Sequence, residues 1–145
     1  MGIIDALFTP GGAACVVLGH ALLTKVAMTL LWRVRFTVGG LIPRAEIEKL
    51  EESVAYKRWH ATQLNEAEWA SLLFPAYLFL HVTGVSAPLT CAMGAAGQIT
   101  YFWPRALIGN QREGGPAIPP YLPGAMARYT AVAFLIPIIW SAVSN

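Results

Sequence analysis

Four long apolar runs divide the chain, and the charged residues collect between the first and second and between the third and fourth. Ala13 to Trp32 is apolar apart from His20, Thr24 and Lys25. Ala67 to Val85, Ala87 to Trp103 and Tyr129 to Ala142 follow, the last drawing on Tyr121 to Arg128 for length. At 1.5 Å rise per residue, each approaches the roughly 20 residues a spanning helix needs. The second helix is predicted to begin near Ala45, because Glu46, Glu48, Lys49, Glu51, Glu52, Lys57 and Arg58 are helix formers and neither Gly nor Pro follows until Pro75. It should therefore project beyond the bilayer. Val38-Gly39-Gly40-Leu41-Ile42-Pro43 and the Gly- and Pro-rich stretch Gly109 to Pro123 break the chain, and Ser86-Ala87-Pro88 makes a short turn. With no internal repeat, the pattern predicts one all-α domain over residues 1–145, an integral membrane four-helix bundle.

Composition agrees with that class. The 145 residues are 56% hydrophobic and 12% charged, with a mean hydropathy of +0.53, against about 25% charged residues in soluble domains. Nearly all Lys and Arg residues fall in two blocks, Arg33 to Arg58 and Arg105 to Arg128, with Lys25 the exception. The positive-inside rule places both loops in the cytoplasm and both termini on the other side. That corresponds to the endoplasmic reticulum in a eukaryote or the inner membrane in a bacterium. Asp5 and the absence of a basic n-region make the first run a span rather than a cleaved signal. Cys15 and Cys91 sit in apolar runs and read as packing residues.

Chemistry is expected where polar residues meet the membrane. On the second helix Arg58, Ala61, Asn65, Glu68 and Leu72 share a face, with Gln63 and Trp59 beside it and Glu66 pointing away. On the third, Tyr101, Arg105, Ile108 and Arg112 make another stripe, provided the helix survives a kink at Pro104. A carboxylate at the lip of a bilayer costs roughly 2.5–3.5 kcal/mol, so Glu68 needs a partner. Solvated helix ends with snorkelling arginines are the plain alternative.

The segment Lys57-Arg58-Trp59-His60-Ala61-Thr62-Gln63-Leu64-Asn65-Glu66-Ala67-Glu68 resembles the second-span motif Glu-Arg-x-x-Arg-Ala-x-x-Asn-x-x-Glu of the membrane-associated proteins in eicosanoid and glutathione metabolism (MAPEG). Arg58, Asn65 and Glu68 match in register. Gln63, Trp69 and Tyr101-Phe102 followed by Arg112 are similar to the leukotriene C synthase and microsomal glutathione transferase branch. The chain departs from the pattern at Lys57 and Ala61, in the position of Pro75, and at Arg105, which stands where a tyrosine is usual.

The resemblance implies a homotrimer that binds glutathione between subunits and joins its thiolate to lipophilic electrophiles, with transferase or peroxidase activity. Glutathione carries two carboxylates, an amine and a thiol. Arg33 or Arg35 suits a carboxylate, Asn65 and Gln63 suit peptide or carboxylate groups, and Glu68 suits the amine. Arg58, Trp69, Tyr101 and Arg105 complete the expected binding set. Arg112 is the expected thiolate-stabilising catalytic residue, with Arg105 as its alternate. The lipophilic substrate would enter from membrane lipid along spans one and four.

A non-enzymatic lipid-presenting scaffold of the same family, like the lipoxygenase-activating protein, is the main rival. A channel subunit would need a polar stripe across the whole bilayer, whereas the polar residues here stop near one face. His20, His60 and His81 lack metal-site spacing, Trp32, Trp59, Trp69, Trp103 and Trp140 read as belt and core residues, and no nucleotide or nucleic-acid motif occurs.

Overall fold

A computed structural model describes residues 2–33, 44–109 and 118–144, and every regular element among them is helical. A short α1 (Ile3–Ala6) leads to Thr9, whose Oγ1 accepts the Gly12 N–H at 3.2 Å and starts α2 (Pro10–Met28) with proline at its first position. A π-helical turn, Thr29–Arg33, extends α2.

The helix expected to run unbroken from Ala45 is two helices. Between α3 (Arg44–Glu52) and α4 (Val54–Val82), the Ser53 hydroxyl donates to Leu50 O at 2.7 Å and accepts the Tyr56 N–H at 3.2 Å. Serine thus offers the backbone a local alternative to the helical ladder, and a new helix begins. The 29 residues of α4 span about 43 Å, longer than a hydrocarbon core of about 30 Å.

Helix α5 (Pro88–Leu107) continues past Pro104 for less than a turn, and its end is closed by the Ile108 and Gly109 N–H groups on Pro104 O. Gly109 has φ +75°, the left-handed conformation that glycine adopts without strain at a helix terminus. Helix α6 (Leu122–Ser144) takes in Leu122 to Arg128, all but the first of the residues that the fourth apolar run needed for length, Tyr121 being part of the preceding turn. The segments Pro10–Trp32 and Leu122–Ser144 are long and apolar enough to cross a membrane by length and composition.

Packing pairs α2 with α4 and α5 with α6, with further contacts of α5 on α4 and α2. Glycines set the α5–α6 distance. A Cβ on Gly124 would lie 2.3 Å from Tyr101 N, and one on Gly97 3.0 Å from Gly124 O. The absence of side chains there lets the two backbones approach closely.

Two apolar clusters result. One joins Ala13, Val17, Leu73, Tyr77, Leu80, Cys91 and Leu135; the other joins Met28, Trp59, Phe102 and Ala106. Between them along each helix lie His20, Glu66, Gln98 and Arg128, all buried.

Candidate functional site

The rotation of α4 decides which polar groups meet. Its buried positions include Trp59, Gln63, Glu66, Ala70, Leu73, Tyr77 and Leu80, an alternating four-three spacing that runs down one face. Glu66 is fully buried, whereas Ala61, Glu68 and Leu72 are exposed and Arg58 and Asn65 are half-buried. The expected orientation of the two carboxylates is therefore reversed: Glu66 faces inward and Glu68 outward. The reason lies in the lower half of the helix, where Leu73, Tyr77 and Leu80 fill the core and fix the phase of the rigid turns above them. Gln63 is likewise turned away from Arg58 and Asn65, toward α2.

Each of the four long helices contributes one side chain to the buried polar layer. His20 Nδ1 of α2 lies 2.5 Å from Glu66 Oε1 of α4. Arg128 Nη1 of α6 donates to Gln98 Oε1 of α5 at 2.9 Å and lies 3.9 Å from Glu66 Oε2, while its Nη2 donates to Asn65 Oδ1 at 3.1 Å. Gln98 Nε2 reaches Glu66 O at 3.4 Å. A carboxylate and a guanidinium removed from water need such partners, because an unpaired buried charge is strongly destabilising. Three buried atoms of the layer, His20 Nε2, Glu66 Oε2 and Arg128 Nε, have no hydrogen-bond partner among the described residues.

Aromatic rings link this layer to the basic end of the helices. The Arg128 guanidinium lies 3.6 Å from the Tyr101 ring centroid and 4.7 Å from that of Trp69, and Arg105 lies 5.4 Å from Tyr101 and 5.2 Å from Tyr121. Tyr101 thus contacts two guanidiniums through the electron-rich ring faces that attract cations.

Beyond Arg105 opens a cleft of about 360 Å³, lined by Val54, Lys57, Arg58, Ala61, Arg105 and Gly109. Among the described residues, every charged side chain in its lining is a cation. Arg58 is fixed by donating Nε to Ala106 O at 3.0 Å and Nη1 to Ile108 O at 3.2 Å, so it caps the carbonyl end of α5.

Of the expected binding residues, the fold brings Arg58 and Arg105 to this cleft and groups Asn65, Trp69 and Tyr101 around Arg128. Glu68 lies two turns below Ala61 on the same side of α4, exposed and outside the cleft, and Gln63 is on the opposite side. Arg35 and Arg112 lie outside the described residues, as does the side chain of Arg33. Sequence reasoning missed the layer itself. Arg128 was counted as a loop charge, yet it sits inside α6 and is 1% exposed. The four-three spacing extended upward from Leu80 through Leu73 would have found Glu66. For Arg128 the available signal was an arginine just inside an apolar run, which by itself marks a functional candidate.

No family model matches the chain, and neither curated proteins nor solved structures give a match. The resemblance to the MAPEG proteins accordingly rests on the motif residues of α4 and α5.

Proposed function

We propose that the protein is an integral membrane glutathione transferase of the MAPEG type, with four spans and cytoplasmic basic loops, working as a homotrimer. The observation that carries the reading is the convergence of Arg58 and Arg105 from two helices, with Lys57, on one cleft whose charged lining among the described residues is cationic. A tripeptide with two carboxylates matches that charge, and guanidinium–carboxylate pairs supply strong, oriented hydrogen bonds. Behind the cleft, Arg105 packs on the ring of buried Tyr101, whose ring also meets Arg128, so the cleft wall is tied to the polar layer.

The chemical step needs only a thiolate near a cation. A free thiol has a pKa of roughly 8.5, and an adjacent guanidinium raises its ionised fraction at neutral pH. The sulfur then attacks an electrophilic carbon. With an aryl halide, the new S–C bond forms, halide leaves with the bonding pair, and the thiol proton goes to water. Arg112 is the proposed cation, and Arg105 is the alternate that lines the cleft. Glu68, exposed on the chain, would meet the glutathione amine from the outer side or be covered by a neighbouring copy.

Purified protein in detergent should bind glutathione in calorimetry and conjugate it to a generic aryl halide. Arg112→Ala should lower the rate more than affinity, with part of the loss recovered at higher pH, where the thiol ionises unaided. If the wild-type protein binds glutathione but does not conjugate it, the scaffold reading replaces the enzyme. No binding at millimolar glutathione ends both forms of the glutathione proposal. Topology is tested separately: Glu46→Cys and Asn145→Cys should label from opposite sides of sealed vesicles, and labelling from one side would sink the four-span arrangement.

A further inference from the structure

On the side of α4 facing away from the basic cleft, α2 and α4 flank a second groove of about 390 Å³, lined by Leu18, Leu22, Ala67 and Phe74 and bearing three polar residues, Lys25, Gln63 and Ser71, the last already donating to Glu68 O at 2.7 Å. Gln63 is 6% exposed, and the groove is lined by it, so its carboxamide is available to a molecule lying there. Lys25 also lacks an acidic partner among the described residues.

Lys25 and Gln63 sit at one end of the groove and the apolar residues, with Ser71 among them, along its length. Gly11 abuts His81, which aligns the first turn of α2 with the last turn of α4. Gln63 is eighteen residues above His81, about 27 Å at 1.5 Å per residue, close to the roughly 30 Å hydrocarbon thickness. Beyond the His20–Glu66 contact, Lys25 and Gln63 are the last lining residues of α2 and α4 in that direction. From there Ala67, Leu22, Leu18 and Phe74 continue toward the middle of the helices. An ammonium and an amide donor at interface depth, above a narrow apolar channel, match a phosphate head and one acyl chain.

We infer that this groove is a specific site for an anionic phospholipid, its phosphate held by Lys25 and Gln63 and one acyl chain lying between α2 and α4. The inference rests on the membrane reading above and is independent of glutathione.

The test is native mass spectrometry of the detergent-purified protein equilibrated with equal amounts of dioleoyl phosphatidylglycerol and dioleoyl phosphatidylcholine. One phosphatidylglycerol per chain should be retained with a preference of about fivefold, the effect of one basic side chain at a membrane surface. Lys25→Ala and Gln63→Leu should each bring the preference toward unity without changing the elution profile. Lys49→Ala, an exposed lysine of α3, should not change it. Equal retention of the two lipids by the wild-type protein, or equal loss in Lys49→Ala, overturns the site. If Gln63→Leu weakens glutathione binding and leaves the lipid preference intact, the groove belongs instead to a glutathione site between copies. Failure of the protein to float with vesicles would refute the membrane reading itself, whereas flotation without lipid preference refutes only the groove.

Discussion

The two halves of the helix assembly are held by different physics. In the half near Ala13, Leu73 and Leu135, small and apolar side chains interlock, and the polar exception is Tyr77, whose hydroxyl donates to Thr90 O at 2.8 Å. In the other half, the polar layer of His20, Glu66, Gln98 and Arg128 lies under an aromatic cluster of Trp59, Phe102 and Trp103, and the basic cleft opens above. The first half tolerates inexact choices, because any apolar group of similar volume contributes nearly the same burial. The second does not, since each buried charge depends on a particular partner. A buried polar layer retained beside a cationic cleft is where function is to be sought.

Breaking the layer gives the largest expected effect. Arg128→Ala removes the main cation beside Glu66 and leaves Gln98 Oε1 and Asn65 Oδ1 without their donor, at a cost of about 3–5 kcal/mol, read as thermal unfolding in detergent. The combined replacement His20→Leu, Glu66→Leu, Arg128→Met should recover much of that loss, because an apolar set removes the desolvation penalty of the charged groups and leaves only the neutral Gln98 Oε1 buried without its donor. If the triple variant is as unstable as Arg128→Ala, the layer is a net source of stability rather than a retained functional feature.

In the apolar half the matching experiment is Leu73→Ala. Leu73 is 0% exposed, and its truncation should cost about 2–5 kcal/mol through lost burial and a residual cavity. A tetrad of polar contacts and a single leucine would then carry similar weight. A loss below about 1 kcal/mol would mean that the α2–α4 seam relaxes to fill the space.

Gly124→Ala sharpens the comparison at the join between halves. The added methyl would lie 2.3 Å from Tyr101 N and 2.8 Å from Thr100 Oγ1, so α6 must move away from α5, costing about 1–3 kcal/mol. The same shift carries Arg128 away from Tyr101. Ligand affinity should therefore fall alongside the melting temperature, and a fall in melting temperature alone would separate the helix crossing from the site.

The apolar half was legible in the sequence because burial there needs only apolar runs of sufficient length. All four runs correspond to helices, and the turn at Ser86-Ala87-Pro88 separates α4 from α5 as expected. The candidate site was legible in composition and less so in geometry. Arg58 and Arg105 were assigned to facing stripes and do line one cleft. The rotation of α4 was misjudged because the spacing of Arg58, Ala61, Asn65 and Glu68 defines a face without saying which side of it the neighbours occupy. Those neighbours are chosen by tertiary contacts of Ala70, Leu73 and Tyr77 with α2 and α5, and no local polar pattern encodes them. Arg128 was hidden for a related reason: its three partners, Asn65, Glu66 and Gln98, are 30 to 63 residues away in sequence.

The smallest expected effect belongs to Glu68→Gln, and it tests how far a single chain represents the working site. Glu68 is exposed and has no ion pair among the described residues, so neutralising it should leave the melting temperature unchanged. Glu66→Gln, two residues earlier, leaves His20 and Arg128 facing a neutral amide and should lower it clearly. For glutathione affinity the order can differ. A solvent-exposed carboxylate meeting the peptide amine contributes modestly, and calorimetry should show a loss of less than about tenfold in Glu68→Gln. A loss of a hundredfold or more requires Glu68 to be desolvated against the ligand. Among the described residues none covers that face of α4, so such a result would support a second copy over it and make assembly a condition of binding.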